Sequence, residues 1–457
     1  MGNLLRLLQA LLVLVPPLLL LLSEGAVRAD DAAAPMEEGE RRALYSAIQG
    51  FVGRNWNGSE LFPDPCGWTP IQGVSCDLFD GRWYVTTMSI GPILENSLQC
   101  AADADFSPPL FDLKYLKSLT FFKCFSRRSA AIVVPSTNWE NLAGTLETLE
   151  FRSNPGLSGD LPSNLCSLRR LRLLVLVENG LSGELPEELA GLNKLQRLVI
   201  SGNHFSGEIP PSIGSAMPDL LILDLSRNAL VGPLPSSMSG LGALLKLDLS
   251  YNLLSGKIPP ELGKMKSLTL LDLRKNGFSG GLPSSLHTMT SLQEMFLSDN
   301  PLGGKMADFP WETMKKLATL DLSGTGLRGS VPETMAELPE LRFLHLNGNN
   351  LTGPVRLPGE FLQRMGRGFS AWGNPNLCYS AATFPKPSHA PTGLKQCKEE
   401  EVAAAAAKPA VKSNSSGGDG DRYSSEAAGS AAISLLLWGM TILLNQAVIF
   451  SLPGLPS

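Results

Sequence analysis

The chain has 457 residues, 43% of them hydrophobic, enough for a large packed core and, on length alone, two or three ordinary domains. Its formal net charge of −5 is spread without a basic stripe. A nucleic-acid partner needs clustered Lys and Arg, so that function class is set aside.

Residues 1–29 read as a secretory signal peptide. Arg6 gives a positive start, "LLVLVPPLLLLL" an apolar stretch, and "AVRAD" small residues around a cut after Ala29. A retained signal anchor is the alternative, and the two prolines and the short apolar run weigh against it. The rest of the chain then faces an oxidising compartment, which seven cysteines suit.

Residues 30–84 read as an N-terminal cap. "EEGERRALYSAIQGFVGRNW" places Leu44, Ile48 and Phe51 at helical spacing. "PDPCGWTPIQGVSC" follows, where Cys66 and Cys76 would staple the cap. Cys100 and Cys124 come next, and Cys378 and Cys397 lie close together far downstream. Connectivity is not fixed by sequence, and sequence-local pairing of these six is the simplest arrangement. Cys166 is left over, as a buried free thiol or a partner in an intermolecular bond.

Residues 85–372 carry one motif repeated. Stretches such as "LRLLVLVEN", "LLILDLSRN", "LLKLDLSYN" and "LRFLHLNGN" align on Asn154, Asn179, Asn203, Asn228, Asn252, Asn276, Asn300, Thr325 and Asn349. The successive spacings are 25, 24, 25, 24, 24, 24, 25 and 24. The pattern L-x-x-L-x-L-x-x-N is the leucine-rich repeat. Its central L-x-L is a short strand with alternate side chains inward and outward. One coil cannot bury its own leucines, so only the stack is stable. The asparagine turns inward to bond backbone groups freed by the turn, and Thr325 is a gap in that ladder. "GLSGELP", "HFSGEIP" and "LLSGKIP" in the second half of each repeat resemble the plant extracellular type. Two earlier coils, "VTTMSIGPI" and "LKSLTFFKC", are longer and irregular, and "MADFPWETMKK" replaces the usual proline turn. The expectation is an α/β solenoid: a right-handed superhelix of about 10–11 coils with strands on the concave side and a disulfide-stapled cap at each end.

Residues 373–398 read as the C-terminal cap, 399–429 as a flexible stalk rich in Ala, Ser and Gly, and 430–457 as a hydrophobic membrane-anchor signal. Asn445 and Gln446 interrupt the apolar run, and no Lys or Arg follows it, which weakens a spanning helix. "SSGGDG" supplies small residues and "DRYSSEAAGS" a spacer, the pattern of a glycosylphosphatidylinositol signal with attachment at Ser416, Gly418 or a neighbour. Sequons at Asn57, Asn350 and Asn414 are glycosylation candidates.

"ALYSAIQGFVGRNWNGSELFPDPCGWTPIQGVSC", "NWENLAGTLETLEFRSNPGL" and "FSAWGNPNLCY" carry a more specific resemblance, covering roughly residues 37–397. They resemble a family of plant receptor-like proteins that have extracellular repeats and no kinase. The resemblance implies a role at the plant cell surface in responding to a growth-promoting endophytic fungus. One departure stands out. That family has another regular repeat before the C-terminal cap, whereas here "NNLTGPVRLPGEFLQRM" runs almost directly into it. This places a ligand site near that end in doubt.

No catalytic chemistry is expected. His204, His287, His345 and His389 are scattered, no Cys/His spacing suits a metal, and no nucleophile–base set or kinase motif occurs. No cofactor is expected. Binding would use outward strand positions. Arg227, Tyr251 and Lys275, with Asp299 next, form a column just before the ladder asparagines. Asp248, Asp272 and Arg274 flank it, and Phe296 and His345 point outward. An aromatic among charges suits a protein contact, while a solvated face is the plainer alternative. The sequence therefore reads as a lipid-anchored receptor-like protein on the extracellular face of the plasma membrane. It would recognise a protein or peptide and act through a receptor kinase as co-receptor. The main rival is an inhibitor of fungal wall-degrading enzymes of the polygalacturonase-inhibiting type. Those proteins are secreted free, so the anchor signal argues against it. A purely structural wall protein would have no need of so varied a concave surface.

Overall fold

A computed structural model describes residues 34–93, 97–126, 132–381, 390 and 393–398. The signal segment, the stalk, the hydrophobic tail, Asn414, Ser416, Gly418 and His389 lie outside the described residues. All described residues fall in one unit, Met1–Ala407. Among them no helix is long and apolar enough to cross a membrane.

The cap begins with helix α1 (Glu38–Val52). Glu37 caps it by accepting a hydrogen bond from the Glu40 backbone N–H at 2.7 Å. Its apolar side, with Leu44, Ala47, Ile48 and Phe51, is wholly buried, as the spacing predicts. Phe51 sits 4.6 Å, centroid to centroid, from Phe121 in the second coil, so the helix closes the first end of the core. A hairpin follows, β1 (Val74–Phe79) and β2 (Arg82–Ile90).

From β2 onward each turn of the chain adds one strand to the main sheet. The main sheet has 13 strands; β1 pairs antiparallel with β2, and the other twelve are parallel and in sequential order. At about 4.8 Å per strand the parallel set runs roughly 50 Å. The reason is visible in any coil: Leu220, Leu223 and Leu225 are fully buried, while Ile222 and Asp224 between them stay partly open. No coil closes its own core, so each is stable only between neighbours.

The asparagines form the expected ladder. Asn252 donates from Nδ2 to the carbonyls of Leu225 and Leu249, both at 3.0 Å, and its Oδ1 accepts from the Leu230 N–H at 3.1 Å. Asn252 thus satisfies backbone groups of two coils that burial would otherwise leave unpaired; in Asn203 only the Nδ2 side does so, and its Oδ1 is buried without a partner. Thr325 breaks the series. Its hydroxyl bonds the Leu322 carbonyl at 2.7 Å, but it offers no amide to the preceding coil. There the Leu302 N–H turns to the Asn300 carbonyl instead, at 2.8 Å. The same coil holds the irregular "MADFPWETMKK" segment, where Trp311 is fully buried and donates to the Met306 carbonyl at 3.0 Å.

The ladder extends beyond the aligned motifs. Strand Phe369–Ser370 joins the main sheet beside Phe343–His345. Asn374 then bonds the Leu346 carbonyl and receives the Leu351 N–H, at 2.9 and 3.0 Å. The stretch expected from sequence to run almost directly into the cap is therefore itself a coil. At the other end Cys124 occupies the ladder position and is bonded to Cys100. Its N–H donates to Asn154 Oδ1 at 2.7 Å. The remaining bonds are Cys66–Cys76 and Cys378–Cys397, so all three pairs are sequence-local. Cys166 is unpaired and buried, and burial, followed by Glu188, pushes its thiol up to about 12.

Candidate protein-binding face

Strand register sets the site. Asp224, Asp248, Asp272 and Phe296 are direct partners across four neighbouring strands, and the row continues through Asp321 to His345. Three adjacent carboxylates on one sheet face would repel each other. Two cations hold them together. Lys246 Nζ lies 3.0 Å from Asp224 and 3.4 Å from Asp248. Arg274 donates from Nε to both oxygens of Asp272, at 3.0 and 2.8 Å. Ser226 and Ser250 add hydroxyl donors to Asp224 and Asp248 at 2.6 and 2.7 Å.

The electrostatics follow from three acids sharing two bases. Burial, and after it Asp248, push Asp272 up to about 7 despite Arg274. Asp248 is also raised, by burial and then Asp224. Burial works against the Lys246 ammonium, but Asp224 and then Asp248 outweigh it and its pKa rises. The row is a preorganised strip whose charges are largely used within the chain.

The second line of the site is the column before the ladder. Arg227, Tyr251, Lys275 and Asp299 all have left-handed backbones, with φ of 56°, 57°, 54° and 56°. The Arg227 guanidinium lies 4.8 Å from the centre of the Tyr251 ring and Lys275 Nζ lies 5.7 Å from it. Lys275 also pairs with Asp299 at 3.1 Å. Arg274, between row and column, lies 4.6 Å from the centre of the Phe296 ring. Arg227, Asp248, Tyr251, Asp272, Arg274, Lys275, Phe296 and Asp299, all singled out in the sequence, therefore line one strip. Sequence reasoning passed over Asp224 and Lys246. Their importance arises only across coils, and the signal was a lysine two residues ahead of Asp248 with an aspartate at the equivalent place one repeat earlier.

His345 is half-buried at the far end of the row, beside the exposed Phe343. Asn57 and Asn350 are both exposed, Asn350 at the start of strand Asn350–Val355. Among the described residues no group of three or more His, Cys, Asp or Glu is arranged to hold a metal ion.

A family model described as a leucine-rich repeat region matches residues 115–351. Piriformospora indica-insensitive protein 2 of Arabidopsis thaliana is 57% identical over 150 residues, 33% of this chain and 35% of that protein. Receptor like protein 29 of the same plant is 30% identical over 150 residues, 32% of this chain and 31% of that protein. The aligned segment thus spans about a third of each relative. Among solved structures, the Arabidopsis receptor kinase HAESA, in complex with the peptide hormone IDA and the co-receptor SERK1, is similar at 28% identity and a TM-score of 0.56. That likeness covers 75% of this chain and 58% of that one.

Proposed function

This chain belongs to the leucine-rich-repeat family, and on that premise we propose that it is a cell-surface receptor-like protein. It recognises a protein or peptide on its concave face and signals through a membrane receptor kinase acting as co-receptor. The observation that carries this reading is the strip from Asp224 to Phe296. Its arginines and aromatic rings are the side chains that dominate protein contacts, and its internal ion pairs fix them before any partner arrives. HAESA, crystallised with a peptide hormone and a co-receptor, supports the same class of partner. The 57% identical relative is named for insensitivity to Piriformospora indica, and we extend to this chain a role in the response to such a growth-promoting endophyte.

The membrane attachment we favour is a glycosylphosphatidylinositol anchor at Ser416 or Gly418, with glycans on Asn57, Asn350 and Asn414. Phosphatidylinositol-specific phospholipase C should release the chain from plant membranes; retention while a known anchored protein is released would remove the anchor. Recognition itself is tested by complementation. A plant lacking the gene is given the wild-type chain or the double variant Tyr251→Ala/Lys275→Glu, then grown with the fungus. The variant should reach the cell surface in normal amount yet fail to restore the growth response. Full restoration would remove the strip as the partner site.

A further inference from the structure

The concave face has a second region at its N-terminal end, whose last strand lies three strands, about 14 Å, before the first strand of the strip. Its character is opposite. Thr87, Ser118 and Thr148 are register partners across three strands, and Ser89 and Thr120 form a parallel row two residues further on. All five side chains are half-buried and face away from the core, because Met88, Leu119 and Leu149 between them point inward. Among the described residues none of the five hydroxyls makes a hydrogen bond. In the central strip, by contrast, the carboxylates and serines of Asp224 and Asp248 are engaged with one another.

Beside these rows stands a cluster of rings. Tyr84 precedes Thr87 on β2, and Tyr115 precedes Ser118 in the next coil. Tyr115 stacks on Phe79 with centroids 4.2 Å apart and lies 4.4 Å from Tyr84. The three rings are half-buried rather than enclosed. Neighbouring charges cancel in pairs, Asp77 with Lys117 at 2.8 Å and Glu150 with Arg152 at 2.6 Å.

We propose that this N-terminal third of the concave face binds a neutral β-linked oligosaccharide, with the tyrosine cluster as stacking platform and the two hydroxyl rows as hydrogen-bonding partners. A charged ligand would find its counter-charges already paired here. A sugar chain presents an apolar ring face and a rim of hydroxyls, and each Ser or Thr both donates and accepts. The chemistry is shared by plant-wall and fungal-wall glycans, so the source is left to the experiment.

The test is calorimetric titration of the full-length protein with cellohexaose, chitohexaose and, as acidic control, the hexamer of galacturonic acid. One or both neutral hexamers should bind saturably, with an affinity unchanged between about 50 mM and 500 mM NaCl. Cellohexaose binding would point to the plant wall, chitohexaose binding to the fungal wall. Tyr84→Ala should weaken binding about tenfold and Thr120→Val, which keeps the shape and removes only the hydroxyl, about threefold. Tyr251→Ala in the central strip should leave it unchanged. The proposal is overturned if neither neutral hexamer binds, if binding survives Thr120→Val and Tyr84→Ala undiminished, or if only the acidic hexamer binds and salt abolishes it.

Discussion

Tyr251 is a residue at which the needs of the fold and of the proposed binding role can be told apart. Its slot, immediately before a ladder asparagine, has a left-handed backbone in every coil from Arg227 to Gly373. Gly202, Gly324, Gly348 and Gly373 fill it with φ of 71°, 63°, 63° and 73°, whereas Lys123, Ser153 and Glu178 carry side chains there at φ of 50°, 54° and 57° in the N-terminal coils. A side chain there costs about 1–2 kcal/mol relative to glycine. Four consecutive coils nonetheless carry Arg227, Tyr251, Lys275 and Asp299. Cation contacts at the half-buried Tyr251 ring return about 0.5–1 kcal/mol, so they roughly offset the strain and do not exceed it. The fold alone therefore gains little from these side chains, which leaves them free for the binding role proposed above. Tyr251→Gly should leave stability within about 1 kcal/mol of wild type in urea unfolding, while abolishing the growth response in complemented plants. A large loss of stability instead would make Tyr251 a structural residue.

At the scale of the coil, the asparagine ladder is what the repeat contributes beyond leucine burial. Asn300 donates to the carbonyls of Leu273, Leu297 and Ser298 and receives the N–H of Phe278. Asn300→Thr would recreate the gap seen at Thr325 and take its side-chain acceptor from the buried Phe278 N–H. We expect a loss of roughly 1–3 kcal/mol, read as a lower urea midpoint by circular dichroism. Thr325→Asn should do the reverse and add about 1 kcal/mol; if both changes are neutral, the ladder is not a source of stability. These elements were legible in the sequence because leucine and asparagine recur at 24 or 25 residues. The last coil was not. Phe369 and Ala371 take two of its inward places and Gly366 stands where the first leucine belongs, so only Asn374 survives of the pattern. Asp224 and Lys246 escaped for a different reason. Ion pairs between coils depend on register across strands, and a repeat read one line at a time hides its neighbours.

Among the described residues, buried carboxylates lie in two separate places, and both act in the same direction with pH. Asp272 lies in the central strip and is pushed up to about 7 by burial and then by Asp248. Glu40 lies under the N-terminal cap, where its side chain accepts the Val85 N–H at 3.2 Å. Burial raises Glu40 from an ordinary 4.5 to about 7, against the pull of the Val85 and Lys114 backbone groups. A carboxyl whose pKa is raised on folding holds its proton more tightly in the folded state. Its stabilisation is complete below about pH 4.5 and is lost as pH climbs through 7. The solenoid should thus be more stable at pH 5 than at pH 8, with Glu40 contributing on the order of 1–2 kcal/mol once partial access of water to the cap is allowed for. Because a solenoid transmits stability from coil to coil, a weakened cap also exposes the end of the stack it covers. Glu40→Gln keeps an acceptor for Val85 and cannot ionise. Denaturation curves at the two pH values should draw closer together in this variant than in wild type, leaving mainly the part due to Asp272. An equal separation in both proteins would mean that Glu40 is hydrated in the folded chain and that the cap does not sense pH.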